Sequence, residues 1–396
     1  MSPFVRNINT SLRFCLSVLK FVGFLKPIEP VSFYGRVFYN IYWFSWFMFL
    51  VGGIGIAQSG AMFQIWGDLT LMTSASFLLF TNLALATKMI NVVMKRRAIQ
   101  KIINTSDDEL TAEDRMEGIE IVKRCNRETT RSLCVYIWLS GVTVFGWAVS
   151  AEKNQLPLRA WYPYDTSKSP AYEVTYINQS SALILSALVN VCLDTLVTSL
   201  IAVCCCRLRL VALSLRTLCS SLVPSKELML CQKDEKIVQE RIRQCAIKHE
   251  AALRTAAQIQ NCFAKPILVQ FSVSIVIICV TAYQLALLKN KNWVRIISMV
   301  AYLLCMTLQV FLYCYQGNQL SEESSKIAGA AYWCPWYLCS MKLRRALLIV
   351  MLRTHNVTKL TAEGFTTLSL ACFTSIIKAS YTFFTVLKQV EERKNK

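Results

Sequence analysis

Charged side chains are scarce in this 396-residue chain: Asp, Glu, Lys and Arg make up 17% of it, against 54% hydrophobic residues. An ordinary soluble domain carries about 25% charge, so a soluble globular protein is excluded. Acidic residues are scarcer still, 24 against 43 basic, for a net charge of +19. Such an excess suits nucleic acid only when gathered on one face of a soluble domain. Here the lysines and arginines lie between apolar runs, so they read as membrane flanks and no nucleic-acid partner is expected. There are only two histidines, His249 and His355, and neither has cysteines or carboxylates at ligand spacing, so both are expected to be solvated. Gly52, Gly53 and Gly55 imitate a dinucleotide loop but follow no strand, and close helix packing explains them better. No phosphate loop, nucleophile elbow or acid/base pair is present, so neither an enzyme, a cofactor nor a metal is expected. A cleavable signal is not expected either. Arg6, Arg13 and Lys20 interrupt Phe4 to Leu25, which suits an amphipathic helix lying on a membrane surface.

What the chain does have is apolar runs of spanning length. They fall near Val37 to Ala57, Leu69 to Thr87, Ser132 to Ala151, Val174 to Val203, Pro266 to Leu288, Ile296 to Tyr315 and Phe365 to Leu387. This predicts an all-α membrane protein with seven transmembrane helices, in which Asp194 and Lys378 are the only full charges inside spans. A pair between them is possible if the two helices meet. Ile327 to Met341 is short, holds Pro335 and abuts basic residues, so it reads as a cytoplasmic element. Between Asp234 and Lys265, apolar positions Ile237, Ile242, Ala246, Ala252, Ala256, Ile259 and Phe263 predict a helix continuous with the fifth span.

Orientation follows the basic residues. A cytoplasmic N-terminus places 32 of the 43 on the inner side and leaves the C-terminus outside. A metabotropic seven-helix receptor has the opposite threading; the expected external loops here lack a cysteine for its usual disulfide, and no Asn-Pro-x-x-Tyr lies near the last span. A secondary transporter should show internal duplication, which is absent. The 17 cysteines fall in spans or on the reducing side, mostly as buried small apolar residues. Cys204-Cys205-Cys206 is a candidate for lipidation. Asn178 is the one sequon on the outer side.

The last fifth is the most distinctive part. An aromatic cluster from Tyr332 to Tyr337 precedes Lys342, Arg344 and Arg345, then an apolar helix from Ala346 to Leu352. After it come Leu360-Thr361-Ala362-Glu363-Gly364-Phe365, Leu368-Ser369-Leu370, Phe373, Ile377-Lys378-Ala379-Ser380-Tyr381 and Phe384-Thr385-Val386-Leu387. In this order the segment closely resembles the C-terminal signature of insect odorant receptors, in their tuning rather than co-receptor branch. The loop from Leu156 to Glu173, rich in prolines and aromatics, also resembles the family, where it sits over the odorant pocket. Gustatory receptors are the nearest relatives, but their Tyr-containing motif ending in Gln-Phe is absent.

The resemblance implies a subunit that joins a co-receptor in a tetramer in the plasma membrane of olfactory sensory neurons. A small volatile odorant would open a weakly selective path for monovalent and divalent cations. It divides the chain into an interfacial segment (1–36), six spans with the odorant pocket (37–315), cytoplasmic anchor helices (316–363), a pore-lining helix (364–390) and an external tail (391–396). Val386, Gln389 and Val390 occupy the family's gate and filter positions, and Lys378 is expected to face away from that pore. In the third span Ser140, Thr143 and Trp147 share the face that lines the family's pocket. Further candidates in the outer halves of spans are Met72, Ser76, Phe77, Tyr176, Ser180, Leu183, Cys279, Tyr283 and Gln284.

Overall fold

The structure, a computed structural model, describes residues 9–24, 33–65, 67, 69–149, 160–166, 168–220, 232–287 and 293–394. Leu156, Pro157, Lys289, Lys291 and Lys396 lie outside them. Eleven α-helices follow in order: α1 (Thr10–Phe21), α2 (Phe33–Phe47), α3 (Gly53–Gln64), α4 (Leu69–Met94), α5 (Arg96–Thr111), α6 (Met116–Val149), α7 (Ala171–Arg216), α8 (Gln232–Leu287), α9 (Trp293–Tyr332), α10 (Met341–Thr354) and α11 (Leu370–Lys394). A π turn at Met48–Gly52 fuses α2 and α3, and the described residues supply seven helices long and apolar enough to cross a membrane. The bundle end carrying α5 and α10 is called proximal below, and the opposite end distal.

The helix apolar on every side sits in the middle. From Val189 to Leu208 every residue of α7 is buried, against α1, α6, α8 and α9. Cys204, Cys205 and Cys206 lie inside this stretch, which removes them from any lipidating enzyme's reach. Among the described cysteines only Cys134 is exposed and Cys372 half-buried. The glycines at the first span do not serve helix contacts. A Cβ on Gly52 would meet Met48 one turn back in its own helix, and one on Gly55 would meet nothing.

The first helix differs from expectation. Leu12, Cys15, Leu16 and Leu19 of α1 are buried, chiefly on α7, because that apolar face finds protein rather than lipid. Asn9 fixes it there: its Oδ1 accepts from Ser11 at 2.6 Å and from Thr129 of α6 at 3.0 Å.

α8 runs through Pro266 unbroken for 56 residues, joining the fifth span to the proximal end as expected. Proline has no N–H to offer the carbonyl four residues back. That carbonyl, on Cys262, instead accepts from Asn91 Nδ2 of α4 at 3.0 Å, and the neighbouring carbonyl of Asn261 accepts from Lys95 Nζ. The buried stripe of α8 is Val238, Ile242, Cys245, His249, Ala252, Ala256, Ile259 and Phe263, at alternating spacings of four and three. Ile237 and Ala246, expected on that stripe, are exposed, and His249, expected in solvent, is 5% exposed.

At the proximal end Arg344 of α10 lies over the Trp336 ring at 5.9 Å and donates to the carbonyls of Cys339 and Tyr337, each at 2.8 Å. Ser340 hydrogen-bonds Glu235, so this region meets α8 as expected. The last span starts later than its composition suggests. Residues 360–368 form a two-stranded hairpin, β1 (Thr361–Ala362) and β2 (Thr366–Thr367), turning at Glu363 and Gly364 with φ of 49° and 80°. Positive φ at both central residues is the turn that matches strand twist. Gln260 of α8 bonds Thr361 through both its amide atoms at 2.8 Å, holding the hairpin on the bundle.

Candidate functional site

Four spanning helices, α4, α6, α7 and α9, line a narrow, partly open cavity of about 80 Å³ toward the distal half. Its walls are mainly apolar, including Leu78, Val144, Trp147, Leu183 and Met306. Ser140, Thr143 and Trp147 sit there together because spacings of three and four put them on one face of α6. Phe77 stands behind Trp147 and Tyr302, with ring centroids 5.6 and 5.4 Å away. Trp161, in the loop before α7, donates its backbone N–H to Ala57 of α3 at 2.9 Å, and Tyr162 accepts from Gln179 of α7 at 2.9 Å. That loop therefore docks on the distal ends of α3 and α7.

The other candidates lie elsewhere. Tyr176 donates to the Ala148 carbonyl at 3.1 Å, Ser76 to that of Thr73 at 3.1 Å, and Gln284 to Thr73 Oγ1 at 2.6 Å. Tyr283 is buried and donates to Glu391 of α11, tying the distal ends of α8 and α11. Cys279 is buried in α8, Ser180 has a buried hydroxyl with no partner, and Met72 is half-buried in α4. None of these seven lines the cavity.

Beneath the cavity lies a polar hub that the sequence reading missed. Asp194 of α7, 2% exposed, forms an ion pair of 2.6 Å with Lys88 of α4. Its carboxylate also accepts from Tyr136 of α6 at 2.9 Å, from Tyr313 of α9 at 2.8 Å and from Gln309 of α9. Lys88 Nζ donates in addition to Asn190 Oδ1 at 3.0 Å. The possible pair of Asp194 with Lys378 therefore does not form. Lys88 closes an apolar run and so looked like a flank, but α4 continues beyond it to Met94 and carries it into the bundle, 5% exposed. A buried charge must be paired, and this pair has the donors and acceptors it needs.

Lys378 is exposed on α11 and makes no ion pair among the described residues. Eleven residues separate it from Gln389, which at 100° per residue leaves about 20° between them. Lys378 thus shares the face of Gln389, with Thr382 and Thr385 between them, against the expectation that it turns away. Val386 and Val390 flank this stripe at 50% and 42% exposure, and Gln389 is exposed as well. Ile376 and Ser380 face the bundle instead.

A second, wider cleft of about 920 Å³ opens at the proximal end. Its walls carry Glu113, Arg115, Glu240, Arg241 and Lys248, a lining unsuited to an apolar ligand. Burial alone would raise the Glu113 carboxyl, but Arg115, bonded to it at 2.6 Å, outweighs that and holds it below its ordinary value.

The description "7tm Odorant receptor" fits residues 68–381. The chain is 25% identical to Odorant receptor 46a, isoform A, of Drosophila melanogaster, over 81% of this chain and 82% of that one. It is 23% identical to Odorant receptor Or1 of Anopheles gambiae, over 95% and 94% of the two chains. Against the Anopheles gambiae Odorant receptor coreceptor the identity is 31%, over 41% of this chain and 34% of that one. Among solved structures, olfactory receptor OR5 of Machilis hrabei in complex with eugenol superposes with a TM-score of 0.76 at 19% identity, covering 96% of this chain and 97% of that one. Helix count, helix order and similarity along most of the chain lead to one assignment: the chain is a multi-pass membrane protein belonging to the odorant receptor family.

Proposed function

We propose that this chain is the odour-binding subunit of an odorant-gated, weakly selective cation channel formed with a co-receptor subunit in the plasma membrane of olfactory neurons. The observation that carries the reading is the apolar cavity among α4, α6, α7 and α9, shut from below by the Asp194 hub. It is small, neutral toward its contents and lined by aromatic and flexible side chains, as a volatile ligand requires. That the Machilis hrabei receptor was solved with eugenol supports an odorant as the ligand. The similarity to co-receptors supports a shared mode of assembly.

In this reading the N-terminus is cytoplasmic and the C-terminus extracellular. α11, which leaves Tyr381 at 66% and Phe383 at 57% exposure, gains its neighbours from other subunits, with Val386, Gln389 and Val390 as gate and filter. Opening requires the odorant to favour the open state over the closed one. The test is to express the chain with and without a co-receptor and record currents under an odour panel. Odour-evoked cation currents that need both subunits are expected, and Trp147→Ala should change odour sensitivity without loss of surface protein. Currents absent from the paired subunits, or a tail found in the cytosol, would refute the proposal.

A further inference from the structure

The cavity's hydrogen-bonding capacity can be counted group by group. Thr81 Oγ1 donates to the Phe77 carbonyl at 2.7 Å, so the Tyr302 hydroxyl, 2.6 Å away, spends its own proton on Thr81. Thr143 and Ser186 donate to carbonyls one turn back in their own helices, and Tyr136 donates to Asp194. Asn190, next to Tyr136 in the cavity wall, is different. An ammonium only donates, so the atom of the Asn190 amide that faces Lys88 must be the oxygen. Its Nδ2 is left for the cavity, the Ser140 hydroxyl is a second uncommitted donor, and Asn82, whose Nδ2 donates to Gln58 Oε1 at 2.9 Å, keeps one amide proton and a neutral amide oxygen.

Asp194 meanwhile receives four donors, which fill a carboxylate's capacity. No anionic oxygen is left to hold a ligand cation. Lys88 in turn is committed to Asp194 and Asn190, so no free cation awaits a ligand anion.

We infer that the ligand class of this subunit is a small neutral carbonyl compound (ketone, aldehyde or ester), whose oxygen accepts from Asn190 Nδ2 while its hydrocarbon part fills the space beside Trp147 and Met306. The inference rests on the proposed odorant pocket and narrows what it takes. Charged amines find only the neutral amide oxygen of Asn82 and no anionic partner, and carboxylates meet an apolar wall without a counter-charge. Size sets a limit: a cavity of about 150 Å³ holds benzene, and the space here, about 80 Å³, admits a ring of that size only if a wall residue moves. A body larger than a few carbons must displace Met306, the most adaptable wall residue.

Full-length protein in lipid nanodiscs is heated with graded amounts of cyclopentanone, cyclopentane, cyclopentylamine or cyclopentanecarboxylate, and affinity is read from the rise in unfolding temperature. Cyclopentanone should bind about fivefold to tenfold more tightly than cyclopentane, the worth of one hydrogen bond. The amine and the acid should bind no better than the alkane. Asn190→Asp keeps an oxygen for Lys88 and removes the amide donor, so the ketone should lose most of its advantage over the alkane, keeping only what Ser140 and Asn82 donate, and the amine should gain. Equal affinity for ketone and alkane in the unmutated protein, no binding by any compound, or a ketone preference that survives undiminished in a folded Asn190→Asp overturns the inference. The unmutated comparison decides the matter if the variant fails to fold. Trp147→Ala separates the two levels. Binding of ketone and alkane unchanged by it would move the pocket elsewhere and sink the reading beneath. Weakened binding there, with the ketone preference intact in Asn190→Asp, would sink only the assigned ligand class.

Discussion

Lys88 and Asp194 meet at 2.6 Å in the interior of the bundle, joining α4 to α7, and Tyr136, Gln309 and Tyr313 bring α6 and α9 to the same carboxylate. One acidic side chain thus gathers the four helices that wall the cavity. Removing one partner strands the other's charge, at a cost of about 3–5 kcal/mol. Lys88→Met should therefore sharply lower the yield of folded protein, measured as the monodisperse fraction of a fluorescent fusion in detergent. Charge reversal at Lys378 should leave that yield unchanged and should not rescue any Asp194 variant.

Asn91 and Pro266 form a compensating pair across α4 and α8. Asn91→Ala strips the Cys262 carbonyl of its donor and should cost about 1–3 kcal/mol. Adding Pro266→Ala supplies a backbone N–H in its place, so the double variant should recover most of the lost thermal stability. Equal stability of the single and double variants would show that the carbonyl needs no donor.

The exposed stripe of α11 makes Lys378 a charge beside Thr382, Thr385 and Gln389. If this face lines the conduction path, a lysine there repels divalent more than monovalent cations. Lys378→Gln should then raise the relative permeability to calcium on the order of twofold, read from reversal potentials in cells that also express a co-receptor. An unchanged reversal potential would place Lys378 against lipid or another subunit.

Glu113 and Arg115 tie the turn between α5 and α6 to Ser214 of α7, Arg115 donating to that hydroxyl at 2.9 Å. Because folding holds the Glu113 carboxyl below its ordinary value, its contribution is present above the ordinary carboxylate range and is lost as pH falls through the lowered value. Arg115 is 40% exposed, so screening limits the contribution to about 1 kcal/mol or less. Glu113→Gln should thus lower the unfolding temperature slightly at neutral pH, and the gap should close in acid as pH falls through the lowered value. A gap that persists in acid would assign the effect to packing.

Hydropathy sufficed for the seven spans, since their apolar length has no other explanation in a chain with so few charges. It failed where a polar residue is buried by a partner far away in sequence. Lys88 is 106 residues from Asp194, and nothing local to either betrays the pair. His249 hides for a related reason: a histidine does not announce an apolar stripe, although Cys245 and Ala252 continue the stripe on either side of it. Part of the cavity was legible because Ser140, Thr143 and Trp147 repeat at helical spacing, whereas Asn190 and Tyr302 join them only through the way α7 and α9 cross α6. The hairpin before α11 was hidden by composition, since Phe365 to Ser369 is as apolar as the helix that follows. Its one local signal is Gly364, which takes positive φ without steric cost, whereas Glu363 beside it does not favour the left-handed backbone it adopts.

A helix of 56 residues is about 84 Å long. Because α8 bridges its proline without interruption, it behaves as a stiff spoke whose far tip is hydrogen-bonded to Glu391 through Tyr283. Turning such a spoke by one degree carries its opposite tip about 1.5 Å. A shift too slight to see at one tip of α8 would therefore arrive at the other end of the bundle as a displacement the size of a bond length.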